Sequence, residues 1–129
     1  MIVKQLLKTK GGQVWSVPPT ATILEALKEM ADKRIGAVVV ATPDGRVQGI
    51  FSERDLARHI AEKGSIDVKI AVKELMTEVV YYVSSANTID DCMVLMTQKR
   101  IRHLPVVENE RLMGMISIGD VVTLVVEDK

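Results

Sequence analysis

Aromatic side chains, cysteine and net charge are all scarce in this sequence of 129 residues. Aromatics make up 3% of the chain, which leaves few rings for stacking on nucleic-acid bases. The 17 basic and 17 acidic residues cancel, so the chain lacks the long-range field that attracts polyanions. A single cysteine excludes an internal disulfide and suits a reducing compartment. These absences argue against nucleic acid as a partner.

Long apolar runs are also missing. No segment approaches the roughly 20 apolar residues of a membrane span, and residues 1–5 do not resemble a signal peptide. We therefore predict a cytoplasmic protein with no membrane partner. Hydrophobic residues make up 47% of the chain, which is enough for an aliphatic core in one compact domain.

The sequence repeats itself. Three segments of the first half recur in the second: 17–23 as 83–89, 33–35 as 99–101, and 49–55 as 114–120. The first two pairs are 66 residues apart, as Val17 and Val83 show, and the third follows a turn that is one residue shorter. We predict two repeats, residues 1–66 with an N-terminal segment and residues 67–129 with a connector.

Each repeat is predicted to run strand, helix, strand, strand, helix. In the first repeat these elements are a strand at 14–17, a helix capped by Thr22 and Glu25, strands at 37–41 and 47–51, and a helix from Ser52 to near Gly64. In the second repeat they include a helix capped by Thr88, a hairpin of 104–107 and 112–116, and a helix capped by Ser117. Short helical turns are expected at 2–7 and 71–76.

The predicted fold class is therefore α/β (α+β). About 60 residues bury too little apolar surface alone, so we expect the repeats to pack sheet to sheet about a pseudo-twofold axis. That packing would form two clefts between them. The helical spacing of apolar residues predicts that Leu24, Cys92 and Met93 are buried, while His59 is expected on the surface.

The start of each repeat's last helix carries the residues best suited to chemistry. Backbone amides after Ser52 would favour an anion, Arg54 could bind phosphate, and the Asp55 carboxylate could accept hydrogen bonds from a ribose diol. Alternatively, Ser52 and Asp55 form only a capping pair. Recurrence of the Gly-x-x-Ser-x-x-Asp pattern in both repeats favours the functional interpretation, and its glycine indicates a close backbone approach or a bulge.

The sequence resembles a tandem pair of CBS (cystathionine-beta-synthase) domains, also called a Bateman module. The resemblance covers about residues 2–127. It is carried by the following residues: the Gly49/Ser52/Asp55 and Gly114/Ser117/Asp120 motifs, Leu75-Met76-Thr77, and the segment 100–106. It implies a regulatory module without catalysis that binds AMP, ADP, ATP, NAD(H) or S-adenosylmethionine in the clefts between repeats. It also implies a homodimer of four repeats that an unidentified protein effector reads.

The resemblance also assigns roles in the first cleft. Asp55 would hold the ribose, with Ser52 and Arg54 near the phosphate. The other contacts it implies are Thr77 and the strand of Val80 to Tyr82 near the base, Ile50 and Ile101 on either side of it, and Arg102 at the mouth.

The second cleft would use Asp120 and Ser117 in the same way. The base would lie between Met115 and Ile35, near Trp15, and His103 could contact phosphate. Two departures make the clefts unequal: Gly119 stands where the first motif has Arg54, and 36–39 stands where the second repeat has 102–105. We expect the Asp55 cleft to bind phosphate more tightly.

Two alternatives stay open beside a nucleotide sensor. One is a dimerisation or interaction scaffold with vestigial sites, and the other is an S-adenosylmethionine sensor. An enzyme is not expected, because the sequence shows no nucleophile–base pair, metal-ligand cluster or Walker-type phosphate loop. Neither a metal nor a catalytic cofactor is expected.

Overall fold

The computed structural model describes residues 1–10, 14–78 and 81–127. Its helices are α1 (Val3–Lys10), α2 (Ile23–Lys33), α3 (Glu53–Lys63), α4 (Ile89–Lys99) and α5 (Ile118–Glu127), with a 3₁₀ turn at Val72–Glu74. Its strands are β1 (Ser16–Val17), β2 (Ala37–Ala41), β3 (Val47–Ser52), β4 (Thr77–Glu78), β5 (His103–Glu108) and β6 (Arg111–Ser117). The predicted α/β class is confirmed.

The chain forms two compact units. One unit is Trp15–Val80, which we call the contiguous unit. The other combines Met1–Val14 with Tyr81–Lys129, and we call it the split unit. These units differ from the predicted repeat boundary at 66/67, because the segment before each repeat packs on the core of the other.

The contiguous unit has a four-stranded sheet in the order β1-β2-β3-β4. β1 is parallel to β2, and β3 is antiparallel to both β2 and β4. Every residue of β2 is buried, as its unbroken apolar run predicts. Phe51 on β3 is fully buried and packs in one cluster with Ile23 and Val72.

The split unit is built on the β5–β6 hairpin, with Leu104 opposite Ile116. Both side chains are fully buried, together with Val3 of α1 and Cys92 of α4. The expected core position of Cys92 is confirmed. Burial and the nearby negative charge of Asp91 raise the pKa of its thiol to about 11, so Cys92 is a small apolar core residue.

The N-terminal segment belongs to the core of the split unit. Val3 N donates to Asn87 O over 2.8 Å, and Ile89 N donates to Met1 O over 2.9 Å. The predicted helical turn at 2–7 is confirmed as part of α1. This segment precedes the first repeat in sequence, but it completes the core of the second.

The connector makes the matching contacts in the contiguous unit. Val72 N donates to Ala21 O over 2.7 Å, and Ile23 N donates to Ile70 O over 2.9 Å. The helical turn predicted within 71–76 is confirmed at Val72–Glu74. We call residues 1–10 the leader of the first repeat and residues 70–76 the leader of the second. The leaders are exchanged, because each one pairs with the residues just before the first helix of the other repeat.

The strand predicted at 80–82 is wrong for Tyr82, which lies outside any strand, and Val80 is outside the described residues. Among the described residues of this segment, Val83 bridges to β5 at Val106. The reason is Pro105. In the contiguous unit Val39 N donates to Trp15 O over 3.1 Å, whereas Pro105, at the equivalent position, has no N–H to extend the ladder.

The predicted burial is wrong for Leu24 and Met93, which are each 41% exposed. It is also wrong for Ala31, which the helical spacing of α2 predicts on the same apolar face and which is exposed. The faces that pack inward are narrower than the apolar stripes, and on α2 the buried residues are Ile23, Ala26 and Met30. No helix of the described chain is long and apolar enough to span a bilayer.

Candidate functional site

The first Ser-x-x-Asp motif begins α3. Asp55 N donates to Ser52 Oγ over 3.3 Å, and Asp55 Oδ2 accepts from Ser52 N at 2.8 Å and from Ser52 Oγ at 3.1 Å. This reciprocal capping box fixes the orientation of the carboxylate. The capping role of the pair is therefore real, and any ligand role must be compatible with it.

Thr77 completes the surroundings of Asp55. Its Oγ1 donates to Asp55 Oδ1 over 2.9 Å, from a position 22 residues further along the chain. A carboxylate has about four lone-pair positions. Oδ2 already accepts two hydrogen bonds and Oδ1 accepts one, so Oδ1 keeps room for one further donor. The structure brings Ser52, Asp55 and Thr77 together. The contact of Thr77 with a base, which the resemblance implies, stays a prediction.

Only some of the backbone amides at the start of α3 are free to bind an anion, fewer than the sequence predicts. Glu53 N donates to Gly36 O over 3.0 Å, and Asp55 N already bonds Ser52. The Arg54 amide lies between them, and its side chain is exposed. An anion at this helix start would therefore meet fewer donors than an uncapped helix offers.

The close approach predicted at Gly49 is confirmed. A Cβ on Gly49 would lie 2.6 Å from Met76 Sδ and 2.7 Å from Thr77 O. β4 can pair with β3 only because this side chain is missing. Gly49 therefore allows Thr77 to reach Asp55.

A depression of about 230 Å³ adjoins Asp55 and Thr77. Its α3 side is formed by residues at helical spacing: Asp55, Arg58, His59 and Glu62. Its other side is residues 74–77. The volume is below that of a typical whole-ligand pocket, so it can take only part of a nucleotide.

His59 was expected on the surface but is half-buried in this depression. Sequence reasoning missed the role of Arg58 and His59 as lining residues. The signal was present, since positions three and four residues after Asp55 share its helix face.

The second motif begins α5 with similar geometry. Ser117 N donates to Asp120 Oδ2 over 2.8 Å, and Asp120 N donates to Ser117 Oγ over 3.1 Å. The close approach predicted at Gly114 is also confirmed, but its neighbour is different. A Cβ there would lie 2.7 Å from Leu7 Cδ2 of α1.

Basic residues adjoin the second motif within the split unit. His103 pairs with Ser117 across the hairpin, and Arg102 O accepts from Ile118 N over 2.9 Å. The matching residues beside Ser52 are Gly36 and Ala37. The sequence difference between 36–39 and 102–105 thus becomes a difference in local charge beside the two motifs.

The remaining predicted contacts divide between the units. Half-buried apolar side chains in the contiguous unit are Ile35 and Ile50, and those in the split unit are Ile101 and Met115. Tyr82 is exposed, and Val80 is outside the described residues. Each predicted base sandwich combines one residue from each unit, so both sandwiches stay predictions.

A duplicated cation–π contact was missed in the sequence. The Lys33 ammonium lies 4.3 Å from the ring centre of Trp15, and the Lys99 ammonium lies 5.2 Å from that of Tyr81. Both pairs obey the 66-residue repeat, which could have revealed them. They fix the end of the first helix in each repeat.

Among the described residues, no group of three or more His, Cys, Asp or Glu side chains is arranged to hold a metal ion. The features that do recur are a Ser–Asp capping box, a glycine under close contact and an exchanged leader. Together they define a class: tandem α/β repeat proteins with one hydroxyl–carboxylate motif per repeat.

Comparison with known proteins identifies the family. The CBS domain model matches residues 3–62 and 72–127, so the chain belongs to the CBS-domain family. A CBS-domain-containing protein from Agrobacterium tumefaciens is 45% identical, with a TM-score of 0.88 and coverage of 96% of this chain and 98% of that one. A putative signal-transduction protein with CBS domains from Burkholderia ambifaria is 39% identical, with a TM-score of 0.89 and coverage of 100% and 96%.

A curated relative, the mitochondrial CBS domain-containing protein CBSX3 of Arabidopsis thaliana, is 34% identical over 98% of this chain. The chain spans 65% of that protein's length. The resemblance to a tandem pair of CBS domains is confirmed.

Proposed function

We propose that the chain is a regulatory module that binds an adenosine ligand, AMP, ADP, ATP or NAD(H), without catalysing a reaction. The observation that carries this proposal is the Asp55 carboxylate, held by Ser52 on one oxygen and by Thr77 on the other. One hydroxyl of a ribose diol would donate to the open position on Asp55 Oδ1, and the second would replace the Ser52 hydroxyl on Oδ2. The fixed orientation lowers the entropy lost on binding.

The phosphate would lie at the start of α3. The Arg54 guanidinium and amide are the proposed contacts, because a forked cation suits phosphate. Arg102 would add a phosphate contact at the mouth of the first cleft. In the second motif His103 would take this role beside Ser117, its partner across the hairpin, although Gly119 replaces Arg54. Tighter binding at Asp55 remains our proposal.

The base would lie in a cleft between the repeats. In the first cleft we propose Ile50 and Ile101 on either side of it, with Val80 and Tyr82 at its edge. In the second, Ile35 and Met115 would take the same role. Half-buried apolar side chains such as these suit a planar base.

We further propose a cytoplasmic homodimer whose conformation a protein effector reads. Exposed apolar side chains in the split unit support a protein contact: Val94 on α4 is 54% exposed, and Val122 on α5 is 56% exposed. A nucleotide would change the dimer only if it binds one conformation more tightly than another.

Isothermal titration with AMP, ATP, NADH and S-adenosylmethionine tests the proposal. We expect heat of binding with at least one adenine nucleotide, and Asp55→Ala should weaken it more than Asp120→Ala. The matched variant Asp32→Ala changes a carboxylate that pairs with Lys33 and should leave binding unchanged. No heat and no thermal shift with any of the four ligands would exclude the nucleotide function.

Two other candidates each rest on one observation. A scaffold with vestigial sites is supported by the hydrogen bonds that Asp55 and Asp120 already accept as part of helix capping boxes, since these bonds give both residues a structural role without any ligand. An S-adenosylmethionine sensor is supported by a structure of the CBS domain pair of protein MJ0100 in complex with 5′-methylthioadenosine and S-adenosyl-L-methionine, which is 23% identical with a TM-score of 0.87. The same titration separates them.

A further inference from the structure

A side chain from the exchanged leader of the other repeat packs directly against the glycine of each motif. Leu7, near the start of the first repeat, lies over Gly114 in the split unit. Met76, near the start of the second repeat, lies over Gly49 in the contiguous unit. Both contacts occupy the space that a Cβ on the glycine would need. Leu7 and Met76 are therefore structural equivalents.

These contacts lie directly on the strands that lead to the motifs. Gly114 is three residues before the capping Ser117 on β6, and Gly49 is three residues before Ser52 on β3. A change of one or two ångströms in either strand would move the capping serine and its carboxylate partner. Closely packed interiors transmit such shifts because they contain little free volume.

The contiguous unit shows the mechanical link most directly. Met76 is followed by Thr77, whose backbone pairs with Ile50 of β3. Thr77 Oγ1 then bonds Asp55 Oδ1. The contact between Met76 and Gly49 thus sets the position from which Thr77 reaches the carboxylate.

We infer that Leu7 and Met76 are positioning residues for the Asp120 and Asp55 motifs respectively. Each repeat's ligand site depends on a side chain supplied by the leader of the other repeat. Displacement of α1 should loosen the Asp120 motif, and displacement of residues 70–76 should loosen the Asp55 motif. This inference rests on the proposed function for its binding readout.

AMP titration of the full chain tests the inference in two backgrounds. Asp55→Ala leaves the Asp120 motif to be measured, and Asp120→Ala leaves the Asp55 motif. Adding Leu7→Ala should weaken AMP about fivefold at the Asp120 motif and change the Asp55 motif by less than about twofold. Met76→Ala should do the reverse. The exchanges Leu7→Met and Met76→Leu should restore affinity at the respective motifs.

A purely structural role predicts a different result. Loss of folded molecules would lower the apparent stoichiometry and leave the Kd of the remaining fraction unchanged. Titrations are therefore made well below the Tm of each variant, as determined by circular dichroism. Equal weakening at both motifs, or unchanged Kd values, would overturn the inference.

Amide hydrogen exchange of the ligand-free chain provides a readout that does not depend on nucleotide. Leu7→Ala should speed exchange of the Asp120 amide, which donates to Ser117, and leave that of Asp55 unchanged. Met76→Ala should speed exchange at Asp55 alone. If wild-type protein binds none of the nucleotides, the proposed function fails while this experiment still decides the positioning role. If the Asp55 and Asp120 amides exchange in both variants at the wild-type rates, the positioning role is refuted.

Discussion

The hydroxyl of Thr77 donates to the Asp55 carboxylate over 2.9 Å, although 22 residues separate them in sequence. One residue starts a strand and the other lies in the first turn of a helix. Together with Ser52 they hold both carboxylate oxygens. The capping box alone holds one oxygen, so Thr77 is what distinguishes this site from an ordinary helix start.

Removal of the Thr77 hydroxyl should weaken nucleotide binding. Thr77→Val keeps the shape of the side chain but leaves one carboxylate oxygen without its donor. We expect a loss of about three- to tenfold in AMP affinity, which is part of the roughly 1.5–3 kcal/mol that a hydrogen bond to a charged group contributes. Thr77→Ser retains the donor and should bind within about twofold of wild type. Calorimetric titration checks both, and equal affinity of Val and Ser variants would contradict the role.

Alanine at the two motif glycines should have unequal costs. Gly49→Ala drives a methyl group into the Thr77 carbonyl, a backbone atom 2.7 Å away, and should cost about 1–3 kcal/mol. Gly114→Ala meets the end of the flexible Leu7 side chain, which can move, so its cost should be below about 1 kcal/mol. Urea unfolding measures both. A larger cost at Gly114 would show that α1 is held more rigidly than β4.

Glycine should stabilise the two left-handed helix ends. Arg34 and Arg100 end α2 and α4 with φ of 56° and 54°. A residue with a Cβ pays about 1–2 kcal/mol for this conformation, and glycine recovers part of it after its larger entropy loss. Arg34→Gly and Arg100→Gly should each raise stability by about 0.5–1 kcal/mol.

The control for these variants is Gly64→Ala. Gly64 ends α3 with φ of 79°, and no atom lies within 4 Å of the Cβ position, so any loss reports backbone strain alone. Thermal unfolding gives the changes in Tm. A destabilised Arg34→Gly would point to a contact made by the guanidinium.

Cys92 should make stability fall at alkaline pH. Its pKa is raised from 9.0 to about 11, first by burial and then by Asp91. The unfolded chain therefore loses this proton more easily, so the stabilisation is complete below pH 9 and declines as the pH rises toward 11. Cys92→Ala lacks this pH-dependent stabilisation. Because the other titratable groups are the same in both proteins, comparing the two isolates the contribution of the Cys92 thiol.

The measurement is the difference in free energy of unfolding between wild type and Cys92→Ala at pH 8 and pH 10.5. The difference should shrink at the higher pH. The thiol should also react slowly with a disulfide reagent at pH 8 in the folded protein. Rapid labelling without unfolding would contradict the buried position.

The sequence predicted the local parts of the fold well. Capping pairs at Thr22, Ser52, Thr88 and Ser117, the strand at 37–41 and the helix end at Gly64 all depend on neighbouring residues. Such signals act within one helical turn or along one strand. The predicted burial of Leu24 and Met93 was wrong, because the sheet that a helix covers sets the width of its buried face, and apolar spacing does not.

The candidate site divides in the same way. The Ser–Asp pairs followed from spacing, whereas the resemblance placed Thr77 near the base, and only the structure shows its contact with Asp55. The lining residues Arg58 and His59 and the exchange of leaders did not emerge. His59 was placed on the surface because a helix with few apolar residues has no obvious inward face, and residues 74–77 supply that face from outside the helix.

The sequence by itself determined the duplication, the fold class and the two motifs, because these depend on short-range periodicity, capping and repeated residues. Tertiary structure alone decided that residues 1–10 complete the core of the second repeat, and that residues 70–76 complete the core of the first. Both leaders carry compatible apolar side chains, Leu7 and Met76, so pattern cannot say which core each one joins. Backbone pairing and the close contacts at Gly49 and Gly114 make that choice.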